Sequence, residues 1–382
     1  MLPLARIIKL GNKQNKPTVL KIASSDTTVY ALMSDGTLYS RGSQEFGQMG
    51  IGNIITQSKW IVSTTNVSDI WCGYETTLIK KIDNSMWYAG NGSPIGLTNT
   101  NSTVWASASV VFNRLTGKTI KQIAISAGAL SVLCTDNTIW NTGYGSYGQL
   151  GNNRSTDSTG AFVQGTMPTG ITPSSLVCHF LMHGFIGTDG RLYYTGAVPG
   201  VGTTDMTLYS KYTLCSQIPN TYAVKDYLSN ASYFGFAIAN NISTNKLYAY
   251  HGGGQYFGQL ADGVTTSTYI SLRQTSQPPG DIIRKSVGYS YFSNHIVTTS
   301  GVYATGNNSG DNAGQLGIGT QSDVSAYTKC ILPTEMNMNN VYITSTTYRT
   351  YLTDGIHVYS AGQHILEGGI QSDSFIKDTP NT

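Results

Sequence analysis

One short phrase recurs seven times along this 382-residue chain. An apolar strand runs into a tight polar turn, and a second strand follows and ends on glycine. The copies are ALMSDGTLYSRG, LIKKIDNSMWYAG, VLCTDNTIWNTG, FIGTDGRLYYTG, AIANNISTNKLYAYHG, HIVTTSGVYATG and YLTDGIHVYSAG. They end at Gly42, Gly90, Gly143, Gly196, Gly252, Gly306 and Gly362, spaced 48, 53, 53, 56, 54 and 56 residues apart. A period of this size marks a repeat architecture, in which each unit buries its apolar surface only against its neighbours.

The copies share chemistry as well as spacing. Asp35-Gly36, Asp83-Asn84, Asp136-Asn137, Asp189-Gly190, Ser300-Gly301 and Asp354-Gly355 each separate two apolar runs. Such pairs tolerate positive φ and predict two-residue hairpins. Flanking segments such as Thr37-Leu38-Tyr39-Ser40 and Arg191-Leu192-Tyr193-Tyr194 are β-formers. A glycine-rich crossing follows, nearly verbatim in FGQMGIG (46–52), YGQLG (147–151), FGQL (257–260) and AGQLGIG (313–319), and then a further strand-like run. Four short strands per unit make a propeller blade. The expected fold is all-β, a single seven-bladed β-propeller over residues 1–382. Gly42, Gly143, Gly252 and Gly306 are expected at positive φ, where the chain leaves a strand for the crossing.

The phrase DGxLYxxG followed by GQLGxG resembles the repeat of the regulator of chromosome condensation family, here in a bacteriophage or bacterial member. The resemblance spans the chain and implies seven blades around an axis. At Gly90, Gly196 and Gly362 the GQLG segment is lost and shortened forms such as Ser93-Pro94-Ile95-Gly96 remain, so those crossings are expected to be remodelled. Residues 1–18 and 363–382 are together the size of a half-blade. They are expected to complete one blade between them and so remove an open sheet edge.

Composition narrows the function. Only 11% of residues are charged, and the net charge is +3. The densest basic spots are Lys80-Lys81 and Arg284-Lys285, neither of them the clustered footprint that nucleic-acid binding requires. No apolar run approaches the roughly 20 residues of a membrane span, and the N-terminus lacks the apolar core of a secretory signal. The five cysteines are scattered over different repeats, which predicts reduced thiols and no disulfide framework.

The repeated acids Asp35, Asp83, Asp136, Asp189 and Asp354 sit where hairpin turns ask for Asp or Asn, which reads as turn chemistry. Glu45, Glu75, Glu335 and Glu367 are isolated. His179 and His183 form the closest histidine pair, but on one extended strand they would stand roughly 13 Å apart, too far to share a metal. No catalytic residue, cofactor or metal site is expected. Most aromatics read as packing between blades, including Phe46 and Tyr147 beneath their crossings. Tyr144, Tyr256, Phe257 and His364 lie in loops and are the candidate partner-binding residues.

These features predict a non-enzymatic structural or attachment protein of a phage particle, at the tail, a fibre or an adaptor. Its partners would be neighbouring virion proteins or a host surface protein or glycan, engaged in multiple copies, with no nucleic acid and no membrane insertion. Assembly in the host cytoplasm and release by lysis reconcile a surface suited to the exterior with the absence of a signal. A bacterial protein-binding module, cytoplasmic or secreted, is the alternative. Nucleotide exchange on a small GTPase comes last.

Overall fold

The computed structural model describes residues 16–98, 100–200, 207–230, 234–265, 268–285, 292–362 and 371–380. They form seven four-stranded antiparallel sheets, spanning 19–64, 67–107, 120–164, 173–214, 222–274, 282–329 and 342–377. Within each sheet the strands pair in sequence order. In the first blade these are Val19–Ser24, Thr28–Met33, Leu38–Gly42 and Gln57–Thr64. The fold is the seven-bladed β-propeller. The only α-helix among the described residues is Ser109–Phe112. The first strand of each blade is the inner one: those of the first four blades and the seventh line an axial cavity of about 220 Å³.

Six of the hairpins differ from the two-residue form, which the sixth blade keeps where Thr298 pairs with Gly301 across Thr299 and Ser300. Gly36 N–H donates to Met33 O at 3.0 Å, Met33 N–H donates to Thr37 O at 2.9 Å, and Gly36 has φ +82°. This is a type I turn closed by a left-handed third residue, the three-residue hairpin loop. The reason lies in the aspartate. Asp35 Oδ1 accepts the Thr37 N–H at 2.9 Å, and Asp83, Asp136 and Asp189 accept the N–H two residues on in the same way. In the seventh blade Asp354 Oδ1 accepts from both Ile356 and His357, ahead of Gly355. These acids belong to turns.

The glycine that ends the third strand is also a backbone requirement. Gly42 pairs with Thr28 at φ +119°, and a Cβ there would collide with the Thr27 carbonyl. Gly143 and Gly306 behave alike, at φ +108° and +114°. Gly252 does not. In the fifth blade the residue paired at this level is Gly253, opposite Phe234 and at φ +104°. The longer turn there, in which Asn241 N–H bonds Lys246 O at 2.8 Å, shifts the register by one residue.

There is no single core. Seven apolar clusters each fill the wedge between two neighbouring blades. Tyr30, Leu32, Leu38, Ile70 and Ile79 join the first and second, while Val19, Val29, Met33, Tyr351 and Val358 join the first and seventh. The retained crossings lace the blades together on the outside. Gly52, Asn153, Gly263 and Gly319 each donate a backbone hydrogen bond to the outer strand of the next blade, at Thr103, Ser210, Ser325 and Asp373. That explains the GQLGxG phrase: glycines such as Gly47 and Gly314 lie too close to that neighbouring strand to carry a side chain. Its glutamine pins the loop. Gln48 Oε1 accepts from Phe46 N–H at 3.2 Å, and its amide donates to Ser43 O and Thr28 Oγ1.

The expected sharing of one blade between residues 1–18 and 363–382 is not what the strand order shows. Strand Ser372–Lys377 pairs with Val358–Gly362, so the seventh sheet draws all four strands from 342–377; residues 1–15 lie outside the described residues. Side chains close the ring instead. Ser24 Oγ bonds Thr344 Oγ1 at 2.6 Å and donates to Ser345 O at 2.7 Å. Arg41 of the first blade makes a bidentate ion pair with Asp378, just past the last strand, at 2.7 and 2.6 Å. The two side chains are 2% and 8% exposed. Trp60 stacks on the guanidinium at 4.8 Å and donates its indole N–H to Asp378 O.

Candidate binding face

The repeat gives the propeller two unlike faces. On one, the turns between second and third strands meet the linkers between blades, as where Val67 N–H donates to Gly36 O at 2.9 Å. This hairpin face mixes the turn aspartates with Lys81, Lys118, Arg191 and Lys246. On the other, the loops between first and second strands meet the crossings, as where Ser43 N–H donates to Thr27 O and Tyr144 N–H to Gly128 O. Among the described residues of these loops, Asp26, Glu45, Glu75, Asp157, Asp262, Asp311 and Asp323 are acidic, and Arg154 is the one exposed base. Arg349 in the same loops is buried, its guanidinium donating to Ser360 Oγ at 3.0 Å. A chain of net charge +3 therefore carries a strongly acidic crossing face.

At the centre of that face, loops from four blades converge over the axis. Thr347 of the seventh blade donates its hydroxyl to Asp26 of the first, and its backbone N–H to Asp26 O at 2.7 Å. Tyr74 of the second blade also hydrogen-bonds the Asp26 carboxylate. Its ring stands edge-on to Phe180 of the fourth, centroids 6.1 Å apart. Phe180 holds φ +33°, a conformation that bulky residues adopt only under constraint. Burial pushes the Asp26 carboxyl above its ordinary range; the Thr347 and Tyr74 hydrogen bonds oppose this, and the nearby Glu45 charge adds to it. Beside these acids in the chain lie two wholly buried residues, Ser25 and Gln44, and neither Ser25 Oγ nor Gln44 Oε1 has a hydrogen-bond partner among the described residues.

The residues expected to contact a partner are not brought together. Tyr144 is exposed on the crossing face of the third blade. Tyr256 and Phe257 belong to the fifth and are half-buried. The Tyr256 hydroxyl bonds that of Tyr269, and Phe257 packs on Phe292 with centroids 4.8 Å apart. His364 lies outside the described residues. Tyr147, expected to pack, is exposed. His179 and His183 sit on opposite sides of a hairpin, not on one strand, since Cys178 pairs with His183 and His179 with Met182. His183 is buried between Ser126 Oγ and Ser131 Oγ at 2.7 and 2.5 Å, and burial pushes it down to about 3. His251 is held by Thr275, Asn294 and Tyr327 and is likewise pushed to about 3. All five cysteines are free, and burial raises Cys72 and Cys178 to about 12. Among the described residues no three His, Cys, Asp or Glu side chains are grouped to hold a metal.

Sequence reasoning treated Glu45 and Glu75 as isolated and overlooked Asp26, Tyr74 and Phe180. These loops carry no repeated motif. The available signal was a count of charge by loop type, once each loop is assigned to a face.

No family model and no curated protein sequence matches the chain. Solved structures do match. Prp20p from Saccharomyces cerevisiae superimposes with a TM-score of 0.69 at 12% identity, over 92% of this chain and 87% of that one. Yeast RCC1 (Prp20) bound to Kap60 gives 0.69 at 13%, over 98% and 92%. Human WBSCR16 gives 0.66 at 15%, over 85% of each. This chain has the fold of the RCC1 propellers. The resemblance read from the repeat thus holds at the level of fold, and these neighbours lend no support to a phage or bacterial membership. Prp20p has been studied for its binding to Gsp1p and histones.

Proposed function

We propose that this chain is a non-enzymatic ring that binds a protein partner on its crossing face, and that it serves as a structural or attachment component of a bacteriophage particle. The observation that carries the binding role is the charge asymmetry. Seven described acids and one exposed base occupy the crossing face of a chain whose net charge is +3. Complementary potential of that kind steers association and selects partners. The binding of Kap60, Gsp1p and histones by yeast neighbours supports protein recognition as a use of this scaffold. The non-enzymatic reading rests on the turn acids, each held by its own backbone, and on histidines locked between hydroxyls.

The particle setting rests on surface chemistry. Few charges, many Ser, Thr, Asn and Tyr, and free, mostly buried thiols suit a protein made in a reducing cytoplasm and used outside it. Mass spectrometry of purified particles tests it: a stoichiometric signal is expected. Absence from particles, with retained binding to a cellular protein, leaves the bacterial protein-binding module in its place. Screening against polysaccharide, peptide and phosphoester substrates is expected to give no turnover; turnover lost on changing one residue would overturn the non-enzymatic reading.

A further inference from the structure

We propose that the axial mouth of the crossing face, built around Asp26 and Glu45, is a receptor for a lysine or arginine side chain presented by a basic protein partner. The inference rests on the reading of this face as the binding face and specifies what it recognises. Three features lie there or adjoin it in the chain. The first is charge: the Glu45 carboxylate lies close enough to Asp26 to raise the proton affinity of Asp26, on a face with a single exposed base among its described residues. The second is unmet acceptor capacity. Ser25 Oγ and Gln44 Oε1, adjoining Asp26 and Glu45 in the chain, are buried without partners, and buried polar atoms left so are rare in native folds. The Gln44 amide already donates to Asn53 Oδ1 and Ile55 O, at 3.1 and 2.9 Å. Its oxygen is thus the end left without a donor. The third is the Tyr74–Phe180 pair, held at the mouth by a strained backbone, whose π-faces suit a cation. A guanidinium or ammonium group brings positive charge, several N–H donors and no acceptor, and so matches all three.

Asp26 gives the site a diagnostic signature. Its charge is half-buried and partly desolvated, the kind of local cost that functional sites tolerate in exchange for activity. Asn at this position retains the acceptor for Thr347 and Tyr74 while removing the charge. The test uses the full chain and a fluorescent hexa-arginine peptide, followed by anisotropy at about 0.01 M ionic strength, where charges act over about 30 Å. Saturable binding is expected, weakening at least tenfold at about 0.15 M salt. The double variant D26N/E45Q is expected to lose at least tenfold in affinity while its urea midpoint holds or rises. Glu45 is exposed, so Glu45→Gln alone keeps the fold and is expected to lose severalfold. Asp35→Asn with Asp189→Asn, on the hairpin face, is expected to leave affinity unchanged. No saturable binding by the wild type, or binding that survives D26N/E45Q in a folded protein, overturns the proposal. A physiological partner whose capture survives D26N/E45Q overturns the site and spares the binding face. Intact peptide binding in a protein missing from particles spares the site and removes the particle setting.

Discussion

Replacing Asp378 by Asn tests whether side chains close this ring. The substitution removes the carboxylate charge and leaves the Arg41 guanidinium 2% exposed, with the Trp60 face at 4.8 Å and Tyr351 Oη at 3.3 Å. Two unit charges about 4 Å apart interact by about 4 kcal/mol at an effective dielectric of about 20. Breaking a buried pair from one side costs about 3–5 kcal/mol, because the remaining ion stays desolvated. D378N is therefore expected to lower the unfolding free energy by about 3–5 kcal/mol in urea titrations followed by tryptophan fluorescence, with Trp60 reporting from the pair itself. Asp281→Asn breaks the surface pair with Lys246, whose side chains are 68% and 62% exposed, and is expected to cost under about 1 kcal/mol. The double change R41M/D378L, which removes both charges, should recover most of the loss. Burial pushes the Asp378 carboxyl up, but the Arg41 hydrogen bonds and charge outweigh that and hold it below its ordinary range. Its stabilisation is thus complete above about pH 4 and disappears as pH falls below that value. If D378N and D281N cost the same, the apolar wedge between first and seventh blades closes the ring unaided.

Acid is expected to unfold the protein well before carboxylates titrate. Burial pushes His183 and His251 to about 3 and His295 to about 4, against an ordinary value of about 6.5. Each is neutral when folded and takes up a proton on unfolding. Stability is therefore full above about pH 6.5 and falls below it by up to about 1.4 kcal/mol per unit for each histidine; near-ultraviolet circular dichroism against pH reads the midpoint. Gly42→Val and Gly160→Val both place a branched residue at positive φ and are each expected to cost about 1–3 kcal/mol from backbone strain, but Gly42→Val should cost more because its Cβ also meets the Thr27 carbonyl, whereas a Cβ at Gly160 meets nothing; urea midpoints compare them. Gln48→Leu leaves Phe46 N–H and Ser43 O without their amide partner and is expected to cost about 1–3 kcal/mol in the same assay.

The fold was legible because the repeat encodes backbone demands. A left-handed residue after a turn aspartate and a glycine with no room for Cβ recur wherever the same geometry recurs, so Gly36 and Gly42 announce a blade. Gly252 was misplaced by one residue because a second glycine follows it and the lengthened turn hides the register. Ring closure was not legible: Arg41 and Asp378 stand 337 positions apart; Arg41 fills a position of the repeated phrase that the other copies give to Ala, Thr or His, and Asp378 lies outside any copy. Tyr144 was correctly placed in an exposed loop, whereas Tyr256 and Phe257 turned inward because Phe292 offered them a packing partner. Asp26 and Tyr74 escaped notice because recognition by this scaffold depends on loops that differ from blade to blade, which a search for repetition discards.

Each sheet comes from one uninterrupted stretch, so the order of the blades carries no topological information. Val19 N–H donates to Gly355 O at 3.1 Å and Val358 N–H donates to Thr379 Oγ1 at 3.0 Å. Both ends of the described ring therefore rest on the same hairpin. A gene rearranged to begin at any inter-blade linker, with the present ends joined, would encode the same seven sheets with every strand pairing intact. Evolution can add, delete or rotate whole blades in such a chain by duplication at linkers, without re-weaving a sheet. What it cannot move freely is the Arg41–Asp378 pair, which fixes one junction of an otherwise cyclic order.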